Sequence, residues 1–185
     1  MPFRGLRPAP GRAGEVIAPP YDVLSSAEAR VRAGGRPHSF LHVSKSELDQ
    51  SEGTAPYAPE VYARGAENFR RMIGEGVLIR DAGPRYYAYR LRMGTHVQTG
   101  LVCAGSVAEY DRNRIRKHEF TRPDKEDDRV RQITALNAQT GPVLLAYKAS
   151  ATVRESLQRA CCSEPLYDVS ADDGIGHTLW AISEP

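Results

Sequence analysis

The sequence predicts an α+β fold: one domain over residues 1–185, with a mixed, mainly antiparallel sheet and three to four helices packed on it. Three observations carry that expectation. Residues 85–93 (RYYAYRLRM) alternate in character, and Gly94-Thr95 separates them from a second strand-like run, which is the pattern of a hairpin. Residues 59–76 instead carry Val61, Tyr62, Gly65, Phe69, Met72 and Ile73 at helical spacing, a buried stripe. Strand-like and helix-like runs then follow one another irregularly, with no G-x-G-x-x-G and no phosphate-cradling G-x-x-x-x-G-K-[ST], which disfavours a doubly wound sheet.

Taken in order, residues 1–14 are rich in Pro, Gly and Arg and read as extended surface chain. Residues 15–18 read as a short strand, left through the rigid turn Pro19-Pro20-Tyr21-Asp22, where each proline fixes its own φ and restricts its predecessor. Asp22 or Ser25 caps a helix over 26–32, and Gly34-Gly35 ends it. Residues 39–43 read as the next strand, with His42 on the face opposite Leu41 and Val43. A lone strand histidine is more often structural than catalytic. Residues 45–56 are polar loop, 59–76 the long helix, and 77–79 a short strand.

In the hairpin, Tyr87, Tyr89 and Leu91 share one face and Tyr86, Arg90 and Arg92 the other, with the returning strand reaching Tyr110. The tyrosines read as cross-strand packing, or alternatively as a platform for a base. A helix follows over 124–138, with Val130, Ile133, Leu136 and Asn137 inward. Residues 143–147 read as a buried strand, and 151–161 as an amphipathic helix with Val153 and Leu157 inward. Two last strands, over 165–169 and 176–182, flank an Asp172-Asp173-Gly174 turn, with Trp180 in the core.

Composition narrows the function classes. A net charge of +2 lacks the basic surplus of a dedicated nucleic-acid binder. No run approaches the ~18 apolar residues of a membrane span, and the N-terminus has no apolar signal core. Cys103, Cys161 and Cys162 form neither a disulfide framework nor a zinc C-x-x-C pair, so a reducing cytoplasm is the expected compartment and Cys103 a buried hydrophobe.

Residues 116–131 (RKHEFTRPDKEDDRVR) hold the densest chemistry. Pro123 suits a first helical turn, Thr121 is the expected N-cap, and acids in that turn match the positive end of the helix dipole. The reading is a strand ending near Phe120, a tight junction, then a helix whose N-terminus lies beside Arg122, Lys117 and His118, an anion site suited to phosphate. The competing reading is a capped, solvated surface helix with ion pairs four apart.

Several stretches together resemble a known family. They are Phe3-Arg4-Gly5-Leu6-Arg7-Pro8, Val16-Ile17-Ala18-Pro19-Pro20-Tyr21-Asp22-Val23, Ser39-Phe40-Leu41-His42-Val43, Tyr86-Tyr87-Ala88-Tyr89-Arg90 and Gln98-Thr99-Gly100-Leu101. Residues 117–129, then Ala138-Gln139-Thr140-Gly141-Pro142 and His177-Thr178-Leu179-Trp180, complete the set. The pattern resembles the bacterial and archaeal domain of unknown function 1015 family. Members usually carry a second half with an Asp-Gly-His-His-Arg motif, similar to the signature of the ParB/sulfiredoxin superfamily, which includes nucleotide-dependent free serine kinases. This sequence has Asp173-Gly174-Ile175-Gly176-His177 instead, so it resembles the N-terminal half alone.

The resemblance and the charge density together imply phosphoryl transfer on a small metabolite such as serine or phosphoserine. In that reading Glu119 is the catalytic base and His118 its alternate. Lys117, Thr121, Arg122, Arg129, Asp22 and His42 bind substrate or phosphate. Asp124 and Asp128 hold Mg²⁺, with ATP or ADP as co-substrate. The alternative from another class is a non-catalytic nucleotide- or DNA-binding module, against which the interleaved acids speak. A third expectation is half of an obligate fold, pairing with its missing C-terminal half or with itself through an edge at residues 178–182.

Overall fold

Two compact units share the chain, each assembled from separate stretches of sequence. Residues 1–14, 79–118 and 145–185 form one, and residues 15–78 and 119–144 the other. The structure is a computed structural model, and it describes residues 1–117 and 120–182. The α+β expectation holds, and the four helices expected from periodicity are all present.

The first unit is organised on a four-stranded antiparallel sheet. Its strands are β3 (Tyr86–Met93), β4 (His96–Val102), β5 (Tyr167–Ser170) and β6 (Gly176–Ile182), in the order β4-β3-β6-β5. The register pairs Met93 with His96 across a two-residue turn, and Gly94 takes φ 57°, the conformation that such a turn demands of its first residue. Helix α7 (Ala151–Ala160) covers one face, where Leu157 packs with Ala88 and Trp180. On the other face the N-terminal segment reaches Tyr87. Strand β1 (Leu6–Pro8) pairs with β2 (Leu78–Arg80), and the Gly5 N–H donates to the Tyr87 hydroxyl at 3.0 Å. Tyr87 donates in turn to Asp81, whose carboxylate also takes Arg7 at 2.8 Å.

The second unit is helical. It contains α2 (Ser26–Ala33), α3 (Leu41–Ser44), α4 (Pro59–Gly74) and α6 (Pro123–Leu136). Ser25 caps α2 in a reciprocal box with Glu28. The buried side of α4 holds Val61, Tyr62, Gly65, Phe69 and Met72 as expected, whereas Ile73 is exposed. Gly65 is where α3 comes closest: a Cβ there would stand 2.8 Å from Ser46 Oγ and 3.0 Å from the Val43 carbonyl.

Several expectations are corrected. Residues 15–18 are not a strand, because α1 (Ala13–Val16) turns there and the Val16 carbonyl accepts from Phe40 N–H. Nor are 39–43: α3 is a single helical turn wedged among α2, α4 and a 3-10 turn at Ser46–Asp49, so Leu41 and Val43 are both buried although they are two apart. Strand β4 stops at Val102, since Ala104 pairs with Met1 and Ser106 caps the short α5 (Val107–Asp111). Consequently no strand among the described residues runs up to Phe120, which is 91% exposed. The N-cap of α6 is Arg122 rather than Thr121, and it makes no side-chain cap bond. Val130 and Ile133 face outward, and Asn137 ends the helix in the left-handed conformation. Residues 143–147 form no strand and are exposed, as is Cys103. Strand β6 lies between β3 and β5, so the sheet's edges are β4 and β5.

Candidate functional site

The polar seam of α6 gathers part of the expected site. Its buried residues are Asp128, Gln132 and Leu136, spaced by four and therefore on one face. Asp128 accepts from the Tyr62 hydroxyl at 2.9 Å and from the Arg129 guanidinium at 2.6 and 3.1 Å. Burial, followed by the bond to Asp128, raises the Tyr62 pKa. Arg129 lies over the Tyr21 ring at 4.0 Å, so the Pro-Pro-Tyr-Asp turn meets the Asp-Asp-Arg run of α6. Gln132 donates to the Val43 carbonyl at 2.8 Å and fastens α6 to α3.

His42, one residue earlier on α3, faces a different set of groups. Its Nδ1 lies 2.8 Å from Asp49, and that bond raises its pKa against the opposing effect of burial. Asn68 holds the pair from α4, donating to Asp49 Oδ2 and to the His42 carbonyl, each at 2.8 Å. Arg71 donates to Asn68 and to the Pro37 carbonyl. The Nε2 of His42 is buried, and the Arg36 backbone adds a further upward pull on the ring's pKa. Beside this ring is an open hollow of about 460 Å³, lined by Arg30, Arg36, His42, Leu48 and the Gly34-Gly35 turn among others. Its wall carries two guanidinium-bearing side chains and a histidine whose pKa is raised.

The other expected residues are placed differently. Arg122 is exposed and paired with Asp124 at 2.9 Å. Thr121 and Asp22 are exposed. Lys117, in the first unit, lies over the Tyr110 ring at 4.6 Å. Glu119 and His118 lie outside the described residues. For Mg²⁺ the donor set does not fit: Asp128 has both oxygens engaged, Asp124 is held by Arg122, and the described residues form no group of three metal-binding side chains. The tyrosine platform is occupied internally. Tyr87 is buried against Asp81, the Tyr89 hydroxyl lies 2.6 Å from His177 Nδ1, and burial lowers the His177 pKa. Tyr167, on the same face, is pushed up to about 12 by burial.

Over residues 1–185 the sequence matches the family described as protein of unknown function (DUF1015). The chain belongs to this family. No curated protein and no solved structure matches it. The stretches that carry the family resemblance divide by role in the structure. Phe3 to Pro8 builds the Arg7–Asp81–Tyr87 network of the first unit, while Tyr21, His42 and the 122–129 run belong to the second.

Asp49, Asn68, Arg30, Arg36 and Arg71, which surround His42 or line the hollow, were not singled out from the sequence. One signal was available for Asn68: it interrupts the buried stripe of α4 between Gly65 and Met72, and a buried amide needs partners.

Proposed function

We propose that the helical unit binds a small anionic metabolite, phosphorylated or carboxylated, in the hollow lined by Arg30, Arg36 and His42. The observation that carries this is that His42, held by Asp49 at 2.8 Å, lines the same hollow as Arg30 and Arg36. The Asp49 carboxylate accepts from Nδ1 and so fixes the orientation of the ring.

The finer reading is phosphoryl transfer to or from a small hydroxyl metabolite such as serine, with ATP or ADP as the second substrate. The similarity of a second-half motif in other members to the ParB/sulfiredoxin signature, a motif this sequence lacks, motivates it, and His42 supplies proton transfer in it. Asp124 and Asp128, the expected Mg²⁺ ligands, are held by Arg122 and by Tyr62 and Arg129.

Calorimetric titration of phosphoserine, inorganic phosphate and ADP tests the binding reading. Binding is expected for wild type and at least tenfold weaker for Arg36→Gln and His42→Gln. Equal affinity in all three proteins, or none in wild type, removes the hollow as the site. Turnover of ATP or ADP with serine, compared between wild type, His42→Gln and Glu119→Gln, tests the finer reading separately.

A further inference from the structure

Residues 143–147, Val-Leu-Leu-Ala-Tyr, are apolar, uncharged and unpaired. Val143, Leu144, Leu145 and Tyr147 are 75%, 85%, 50% and 60% exposed. No backbone hydrogen bond involves residues 143–147 among those of the described residues, and they belong to no sheet. A run of this composition has the pattern of a strand, and so much contiguous exposed apolar surface marks an interaction segment.

Strand β4 presents the complementary surface. It is an edge of the four-stranded sheet, seven residues long, and His96–Val102 contains no Asp, Glu, Lys or Arg. Natural edge strands are usually blunted by charge or proline, and this one is not. Because Met93 and His96 close a two-residue hairpin, their pair exchanges hydrogen bonds, and the alternation then turns the backbone groups of Val97 and Thr99 away from β3. Val97 is 52% exposed, and Met93 on the neighbouring strand is 63% exposed. The opposite edge, β5, is shorter and carries Asp168. An uncharged edge with outward-facing backbone groups accepts a short uncharged strand. Within a single copy the 143–147 segment is not in that sheet, but every second copy brings one.

We propose that residues 143–147 of one copy add as a strand to the β4 edge of a second copy. The contact is heterologous, since each copy has one donor segment and one acceptor edge, and it yields a dimer when the exchange is reciprocal.

Sedimentation velocity over a range of concentrations tests this. Wild type is expected to self-associate as concentration rises. Leu144→Lys disables the donor, and Val97→Pro removes an outward N–H from the acceptor without touching the pairing to β3. Each variant alone is expected to be monomeric. An equimolar mixture of the two is expected to form a one-to-one heterodimer, because an intact donor and an intact acceptor remain. Circular dichroism establishes that both variants fold, with Val97→Lys replacing the proline variant where it does not. A wild type that stays monomeric overturns the proposal. So do variants that associate like wild type, a mixture that stays monomeric, or a wild type that binds neutral lipid vesicles instead of itself.

Discussion

Gly65→Ala tests how α3 and its histidine are held in place. An alanine normally favours a helix interior over glycine by ~1 kcal/mol. Here the added Cβ would stand 2.8 Å from Ser46 Oγ and 3.0 Å from the Val43 carbonyl, so the hydroxyl must retreat by roughly half an ångström to reach ordinary contact. That hydroxyl donates to the Val61 carbonyl at 2.7 Å, and stretching the bond costs about 1 kcal/mol. Backbone at the Val43 carbonyl cannot swing aside as a side chain does, and overpacking of this kind costs about 1–3 kcal/mol. The propensity gain is smaller than these two costs together. Gly65→Ala should therefore lose about 1–3 kcal/mol in urea unfolding, a fall in Tm of about 2–12 °C for a chain of this size. In a Ser46→Ala background the Oγ contact is gone, and the penalty should shrink by about 1 kcal/mol. A more stable Gly65→Ala, or a penalty unchanged by Ser46→Ala, would refute the close-approach argument.

Four further outcomes are expected. Tyr62→Phe should cost about 1–2 kcal/mol, and Asp128→Ala about 3 kcal/mol because it strands both the Tyr62 hydroxyl and Arg129, with a coupling of at least ~0.5 kcal/mol in the double-mutant cycle. Gln132→Ala should cost about 1–2 kcal/mol, while Ile133→Gln on the outward side should stay within about 0.5 kcal/mol, the reverse of what hydrophobicity alone would order; paired urea melts decide. The His42 pKa is raised in the folded state, so its contribution is fully present below the unfolded value near 6.5 and is lost as pH rises through the folded value. The stability gap between wild type and His42→Gln should accordingly be wider at pH 6 than well above the folded pKa, and a pH-independent gap would count against the Asp49 pairing. Gly5→Ala places a Cβ 2.5 Å from the Tyr87 hydroxyl, so it should lower Tm by several degrees, readable by thermal melting.

The two hairpins of the sheet were legible because their information is local, whereas the pairing of β3 with β6 joins distant stretches and was not. Residues 85–93 alternate, Gly94 supplies the turn, and the register of β3 with β4 follows from those two facts. Helices α2, α4, α6 and α7 were legible for the same reason, each having its own cap, proline or stripe. Residues 39–43 misled because a strand and a single enclosed helical turn both bury Leu41 and Val43. Only the neighbours, α2 on one side and α4 on the other, decide between them. Without that turn, the approach of His42 to Asp49 and Asn68 has no sequence signature, since all three are ordinary surface residue types until the helices meet.

The inner face of α6 shows the same limit from the opposite direction. Hydrophobicity assigned Val130 and Ile133 inward, and the structure turns Asp128 and Gln132 there instead. An apolar side chain gains about 1.5–3 kcal/mol from full burial, so a polar seam is favoured only where its partners are fixed in advance. They are: the Tyr62 hydroxyl projects from a 16-residue helix, and the Val43 carbonyl is held in a single-turn helix that cannot rotate away. Each partner is specific in a way an apolar face is not, because sliding α6 by one residue would leave two donors and a carboxylate unpaired. The seam therefore sets register as well as attachment. It carries Arg129 onto Tyr21 and ties α6 to α3 beside His42.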